Sequence, residues 1–345
     1  MKTGFVFLIS LFVGVGLQAQ SFFEEYKQDA NKYVRNFTRP MFEANIYNFA
    51  DGWGHSAQTL KPFHVQLDVM LNYSMIPDKY QNFVFDPGEY NHVDILDQSD
   101  NPVSNPVSLP TIFGGETDYK LRVTAPAGGG LQKEFIIDAL PGVKDEFEKE
   151  VDFIRVGMPG VALQLNVGLP LGTELGVRYF PSTSFGPTQV SFLGLGVKHS
   201  LSQYFKSQKK SKLHLSALIA YSGGKIKGVY DNKNGAFSIH TYNLQVLGSY
   251  DMKFLSVYGG AGFIRGVSNF AIKGNYTYTY DIVDGGGNTI GTVSETVSDP
   301  LDMWFSANEL KFHAGLQLNI YVVKIFVQYN IQKYPGIHAG ISVKI

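Results

Sequence analysis

Glu309-Leu310-Lys311-Phe312-His313-Ala314-Gly315-Leu316-Gln317-Leu318-Asn319-Ile320 alternates in character along its length. Leu310, Phe312, Ala314, Leu316, Leu318 and Ile320 fall on one face; Glu309, Lys311, His313, Gly315, Gln317 and Asn319 fall on the other. Successive side chains of a strand point to opposite sides, so this segment has one apolar face and one polar or small face. The alternation resumes with Ile325, Val327, Tyr329 and Ile331 against Phe326, Gln328, Asn330 and Gln332. It resumes again with Ile337, Ala339, Ile341, Val343 and Ile345 against His338, Gly340, Ser342 and Lys344. Three such strands in succession, on a chain that carries an export signal, predict a transmembrane β-barrel.

The export signal is read from the first residues. Met1-Lys2-Thr3 forms a short positive region, and Gly4 to Leu17 is an apolar core too short to span a bilayer. A signal peptide over residues 1–19 is expected, with the mature chain starting at Gln20. No later stretch approaches the roughly 18 consecutive apolar residues of a membrane helix. Composition agrees with a barrel in lipid. Only 17% of residues are charged, against roughly 25% in soluble domains, while 44% are hydrophobic. The 37 glycines and 14% aromatic content suit barrel strands and interfacial girdles. A net charge of −1 gives no basis for a nucleic-acid partner. The absence of cysteine excludes disulfides, thiol chemistry and Cys-based metal sites. The expected location is the outer membrane of a Gram-negative bacterium, with outer-membrane lipid as the surrounding partner.

Ten segments carry the alternation: His64–Ser74, 155–169, 171–180, 189–200, 212–222, 237–250, 254–265 and the three terminal ones. Connections alternate between tight (Pro170 to Gly172, Ser249 to Lys253, Tyr321 to Lys324) and long (76–150, 223–236, 266–305). Barrels have short periplasmic turns and long outer loops, which makes the strand number even. Tyr73, Tyr179, Tyr221 and Tyr242 then share one outer rim, where interfacial Tyr belongs. Further strand-like pieces inside the long connections, 120–124 with 133–137 and 271–280 with 289–297, leave ten to fourteen strands open. Ser200 to Lys210 reads as a periplasmic connection with one or two helical turns. The fold class is therefore all-β, an antiparallel transmembrane barrel with an N-terminal helix or plug, its barrel domain covering 61–345.

Residues 20–60 break the pattern. Phe23, Tyr26, Ala30, Tyr33, Val34 and Phe37 recur at helical spacing among charged residues, and Pro40 is expected to end that helix. Asn48 to Ala57 follows, glycine-punctuated, with one of the two Trp residues. Two placements stay open for 21–60: a plug folded inside the barrel, or a helix packed outside it, under the floor or on a protein partner.

The chemistry-bearing residues are sparse. His214, His313 and His338 are assigned to luminal faces, and His240 too if the register of its strand holds. No G-x-S-x-G, H-E-x-x-H or EF-hand loop accompanies them, so neither catalysis nor a metal or other cofactor is expected. Gly194/Gly196 and Gly260/Gly262 lie within strands, where they make room or permit curvature. Asp68, Glu174, Arg178, Lys198, Glu309, Lys311 and Lys344 mix both signs on the inward face, as a salt-bridged filling does. Trp53, Asp68, Glu174, Arg178, His313 and Gln317 are the ligand- or lumen-lining candidates.

Gly52-Trp53-Gly54 before the first strand, Leu109-Pro110-Thr111-Ile112-Phe113-Gly114 in the long excursion, and Gly194-Leu195-Gly196-Val197-Lys198-His199-Ser200 at a strand end carry a resemblance. The chain resembles a family of uncharacterised Bacteroidetes outer-membrane proteins and, more distantly, FadL-type channels for hydrophobic compounds. FadL-type channels carry an N-terminal plug and usually fourteen strands; here a candidate plug stands before ten strong segments. Many outer-membrane barrels end in an aromatic residue, whereas this chain ends in Ile345. The resemblance implies a passive channel or binding protein for a small hydrophobic compound, with 76–150 as a lid. The alternative is a non-transporting scaffold or secretion-associated barrel that recruits protein partners through its helix and outer loops.

Overall fold

A computed structural model describes residues 19–128, 131–151, 153–186, 188–205, 212–230, 233–283 and 289–344. The signal peptide assigned to 1–19 therefore falls, but for Ala19, outside the described residues, as do the end of the 200–210 connection, the Gly285 to Gly287 tip and Ile345. Among the described residues no helix is long and apolar enough to cross a bilayer.

Ten strands close an antiparallel barrel, and they are the ten segments expected from alternation. They are β1 (Val65–Met75), β7 (Gly157–Leu169), β8 (Thr173–Phe185), β9 (Thr188–Ser200) and β10 (Leu213–Tyr230). The remaining five are β11 (Lys233–Asp251), β12 (Leu255–Lys273), β15 (Leu301–Ile320), β16 (Val323–Ile331) and β17 (Gly336–Lys344). Around the wall they run β1-β17-β16-β15-β12-β11-β10-β9-β8-β7, so the barrel closes through β1 with β7. Outward residues such as Leu71, Val161, Leu163, Leu244, Leu310, Phe312, Ile325 and Ile341 are exposed, while most residues between them are buried. From Leu310 to Ile320 the apolar face covers eleven residues; at ~3.3 Å per residue and a tilt of about 40° it spans roughly 25 Å, the height of a bilayer core.

Strands β10 to β12 and β15 run past this band. The 223–236 connection, expected as a long loop, is instead paired strand, with β10 in register with β11 out to Tyr230↔Lys233. The 266–305 connection is shortened in the same way: β12 continues to Lys273, and a separate hairpin, β13 (Asn275–Val283) with β14 (Thr289–Ser298), stands beyond the wall. Hydrogen bonding continues wherever a neighbour is available, so glycine- and lysine-rich sequence does not by itself end a strand.

The long excursion after β1 is a cap. It holds β2 (Asn82–Phe85) paired with β4 (Val107–Pro110), a sheet ordered β3-β5-β6 from Val93–Leu96, Lys120–Gly128 and Leu131–Asp138, and a short helix, Lys144–Glu150. The hairpin pieces at 120–124 and 133–137 therefore belong to the cap and not to the wall. Among the described residues the connection after β9 holds one 3-10 turn, Ser202–Tyr204.

Helix α1, Ala19–Ala50, connects cap to lumen. Its outer half packs against the cap and the upper end of β15, with Tyr33, Val34 and Phe42 in one buried cluster with Phe85, Val93, Ile95, Leu109, Leu121 and Phe305. Phe42 stacks on Phe237, Phe270 and Phe305 at centroid distances of 5.5, 5.2 and 5.0 Å. Its inner half descends into the barrel, burying Ala44, Ile46, Tyr47 and Ala50 against Ile239, Ile264 and Ala307.

Pro40 does not end this helix, contrary to expectation. A proline inside a helix removes one N–H and pushes on the carbonyl four residues earlier. The carbonyl that loses its donor is that of Asn36; at the next residue the Ile112 N–H of the cap donates to the Phe37 carbonyl at 2.9 Å, and apolar contacts on both sides of Pro40 hold the helix together. Asp29, one of the charged residues between the helix's apolar positions, is buried: its carboxylate accepts the Asn91 and His92 backbone N–H groups, both at 2.8 Å.

Candidate functional site

Below α1 the chain runs down the barrel axis from Asp51 to Leu60, and the inward side chains of the wall converge on it. Ser74 of β1 donates to Asn48 Oδ1 at 2.7 Å, and the Asn243 amide of β11 donates to the Ala50 carbonyl at 2.6 Å. Arg178 of β8 donates through Nη1 to the Asp51 carbonyl at 2.9 Å. Gln164 of β7 reaches the Trp53 carbonyl at 3.4 Å, and the Trp53 indole N–H donates to Ser222 Oγ of β10 at 3.2 Å. Lys198 of β9 donates to the Ser56 carbonyl at 3.3 Å, and Glu174 of β8 accepts the Leu60 N–H at 2.9 Å. Ser268 of β12 donates to the Phe42 carbonyl at 3.3 Å, and Ser342 of β17 lies 3.4 Å from His55 Nε2. With Lys311 and Gln317 of β15 and Asn330 of β16, each of the ten strands contributes a side chain to α1 or its continuation.

Two charged centres anchor the segment. Asp51 is fully buried; its Oδ1 accepts Lys311 Nζ at 2.6 Å, and its Oδ2 accepts Asn330 at 3.0 Å and Gln332 at 2.8 Å. His338 Nε2 approaches the same oxygen at 3.4 Å. Lower down, Lys198 and Glu174 pair at 3.0 Å. Between them Trp53 lies on a bare patch of wall. A Cβ on Gly194 would stand 2.8 Å from its ring and one on Gly196 2.7 Å, distances that real side chains do not reach, so these two glycines are shaped to the indole. Arg178 covers the ring with its guanidinium carbon 4.0 Å from the centroid.

The six lumen candidates are all buried: Asp68, Glu174, Arg178, His313 and Gln317 face inward from the wall, and Trp53 faces the wall from the central segment. Trp53, Asp68, Glu174, Arg178 and Gln317 meet in the packing around Asp51 to Leu60, whereas His313 sits apart, with neither ring nitrogen hydrogen-bonded. His240 is not luminal. It lies on the exposed side with Tyr242, its Nδ1 2.7 Å from the Tyr221 hydroxyl, because the register of β11 puts Thr241 and Asn243 inward.

Residues that sequence reasoning passed over are Asp51, His55 and Ser342. His55 Nε2 lies 3.3 Å from Asp68 Oδ2 and 3.4 Å from Ser342 Oγ, while Nδ1 faces Gln317 at 2.7 Å. This is Ser, His and Asp without a relay, since a triad needs the acid on one ring nitrogen and the hydroxyl on the other. The signal was available in Gly52-Trp53-Gly54-His55, where polar groups sit beside the glycines that let the backbone approach the wall. Among the described residues no group of three His, Cys, Asp or Glu side chains is placed to hold a metal.

The upper half of the barrel is different. Strand β7 pairs with β8 only from Leu169↔Thr173 to Gln164↔Arg178, although β7 continues to Gly157 and β8 to Phe185. Above Gln164 a seam opens between them. Pro159 lies on one side and Pro181 on the other, and the β8–β9 register is irregular between Phe180 and Thr183. Proline cannot donate to a ladder and sits at strand edges. A cavity of about 360 Å³ passes through this seam, bordered both by outward Val161, Leu163 and Tyr179 and by inward Asn48, Asn72 and Arg178. A second cavity of about 380 Å³ lies under the cap among Val34, Phe37, Met41, Phe42, Phe270 and Leu301. The two share Asn45, Phe49, Ile226 and Phe237 and so lie side by side, on either side of these residues.

Solved structures similar to this chain are outer-membrane barrels, and the likeness concerns the fold. The attachment invasion locus protein Ail of Yersinia pestis is 8% identical, covering 82% of this chain and 99% of its own, with a TM-score of 0.26. The translocator domain of the autotransporter NalP from Neisseria meningitidis is 12% identical, covering 87% and 92%, with a TM-score of 0.30. The outer membrane protease OmpT from Escherichia coli is 11% identical, covering 84% and 100%, with a TM-score of 0.26. No curated protein matches the sequence. A family profile does match, over residues 1–345, and by it this plugged ten-stranded chain belongs to the DUF6588 family, a family of unknown function.

Proposed function

We propose that this protein is a non-enzymatic outer-membrane barrel that binds a small hydrophobic compound in the chamber under its cap and exchanges it sideways through the β7–β8 seam. The observation that carries this reading is the pair of adjacent cavities, which share four lining residues, are apolar along most of their lining and, at the seam, are bordered by both faces of the wall. Their combined size is that of an ordinary ligand site. The cap end then faces outward and the tight turns face the periplasm. The reading keeps the FadL-type theme of a plugged barrel for hydrophobic compounds but uses ten strands instead of fourteen.

The test uses the refolded protein and the fluorescent probe N-phenylnaphthylamine. Leu163 and Tyr179 come next along the two strands after the last pair, Gln164↔Arg178, and both face outward. Leu163→Cys with Tyr179→Cys, joined by a disulfide or a short bis-maleimide, closes the seam. The expected result is slower binding and release with affinity little changed, restored by reduction of the disulfide. Probe binding that is absent, or that proceeds at the same rate with the seam closed, argues against lateral exchange. The scaffold alternative is favoured by a stoichiometric protein that co-purifies with the N-terminal helix.

A further inference from the structure

The tight-turn end of the barrel has an unusual surface. Periplasmic turns need no apolar groups, yet large apolar side chains stand exposed at every described connection on this end. They are Phe63 before β1, Leu171 between β7 and β8, Tyr204 and Phe205 between β9 and β10, Phe254 between β11 and β12, and Tyr321 between β15 and β16. Leu171 is 82% exposed and Tyr321 fully so. Three of them also hold the left-handed backbone conformation that bulky residues rarely adopt: Phe63 at φ 66°, Leu171 at 61° and Tyr321 at 55°. Glycine would occupy such positions without strain and asparagine with little, so the apolar side chains are kept against a backbone preference.

Charge supplies a second, independent observation. Over 61–64, 170–172, 201–212, 249–254 and 321–324 the sequence has seven lysines and one acidic residue, Asp251, whose carboxylate lies 3.3 Å from His214 Nε2. The cap segment 76–156 is the opposite, with fifteen acidic and seven basic residues. Lys61, Lys212 and Lys253 are exposed, and Lys253 Nζ lies over the Phe254 ring, 5.3 Å from its centroid.

Apolar tips with mainly basic neighbours match the boundary of a bilayer whose headgroups are anionic: rings and aliphatic chains enter the acyl boundary while ammonium groups meet phosphate. The tips also continue the membrane-facing wall, since exposed Leu165 leads to Leu171, and Leu318 with Ile320 leads to Tyr321. We infer that the tight-turn end is a lipid-binding surface, embedded in the headgroup layer of an anionic phospholipid leaflet instead of standing in water.

The chain has no cysteine, so single-cysteine spin labels report cleanly. Labels at Leu171, Phe254 and Tyr321, and one at Asp100 in the cap, are placed on the full chain reconstituted in vesicles of phosphatidylcholine with phosphatidylglycerol. The expected result is a high ratio of oxygen to nickel-complex accessibility at the three turn positions and a low ratio at Asp100. Changing Lys61, Lys212 and Lys253 to Gln should lower the preference for spin-labelled phosphatidylglycerol over phosphatidylcholine by about fivefold per lysine. Turn labels as accessible to the nickel complex as the label at Asp100 would overturn the inference, as would an unchanged lipid preference in the triple variant. A turn end covered by a co-purifying protein would overturn it too.

Discussion

Asp51→Asn tests whether the segment inside the barrel is fastened or merely packed. The two carboxylate oxygens have different partners: Oδ1 takes the Lys311 ammonium, and Oδ2 takes the amides of Asn330 and Gln332. An asparagine has one acceptor and one donor group, so either orientation turns an NH₂ toward a group that is itself a donor. The substitution also leaves Lys311, 1% exposed, without its counter-charge. Removing one partner of a buried pair in this way costs about 3–5 kcal/mol. Because the other wall bonds to Asn48, Trp53 and Leu60 remain, the loss falls on local opening of the 51–60 segment, not on closure of the wall. Ser56→Cys supplies a buried reporter of nearly the same shape in a chain with no other thiol. With Asp51→Asn added, its reaction with a maleimide should accelerate roughly a hundred- to several-thousand-fold while the folded band on a semi-native gel persists. Replacing the pair together, Asp51→Leu with Lys311→Met, removes the orphaned charge and should recover at least about tenfold of that acceleration. A reporter thiol that reacts at the parent rate in the Asp51→Asn background would refute the claim that this pair fastens the segment.

Two further substitutions probe the packing. Gly196→Val places a branched side chain where a Cβ alone would lie 2.7 Å from the Trp53 ring; it should displace the indole, cost about 1–3 kcal/mol, and shift the intrinsic fluorescence to the red, and an unchanged spectrum would contradict the fit. Phe42→Ala removes the ring shared by Phe237, Phe270 and Phe305 and should cost about 3–5 kcal/mol, read as faster proteolysis of the outer half of α1 with the barrel core still resistant.

The barrel was legible because lipid and lumen make opposite demands on adjacent residues. Leu310 and Lys311 are neighbours in sequence and faces apart in space, and that contrast repeats through all ten segments. Where the environment is the same on both sides, the pattern faded: 223–236 and 266–273 rise above the bilayer, so their strand character had no apolar face to announce it. At His240 the phase was already present in Tyr242, placed outward two residues on, and the alternation puts both residues on one face; His240 faces outward beside Tyr221 in the upper rim. Position along the axis was harder still. Period 3.6 in Ala30, Tyr33, Val34 and Phe37 reports a helix with one apolar side, but not that its continuation enters a barrel, because the inner half meets apolar wall at Ile239 and Ile264 and polar wall at Asn243. Pro40 misled because the helix around it is held by distant groups, the apolar cap and wall residues packed on both of its halves and the Ile112 N–H on the Phe37 carbonyl. The seam left a trace in Pro159 and Pro181, yet only pairing shows that both prolines border one gap.

An eight-stranded barrel can be filled by its own wall, and a ten-stranded one is wider. Here the extra width is taken by Asp51 to Leu60, and the wall is cut to that segment: Gly194 and Gly196 leave the space that the Trp53 indole occupies, and every strand commits a side chain to the segment or to α1. Axial passage requires that this contact set be broken. With about a dozen hydrogen bonds at roughly 1 kcal/mol net each, the cost approaches the whole stability of an ordinary domain, so the displaced state is not appreciably populated. The seam asks for nothing comparable, because above Gln164↔Arg178 no ladder joins β7 to β8. Bilayer recordings of the intact protein should therefore be silent, and Asp51→Asn should add only brief, rare openings, while ligand exchange through the side of the barrel continues. Steady conductance from the intact chain would mean that the segment leaves the lumen at little cost and that its bonds to the wall do not hold it.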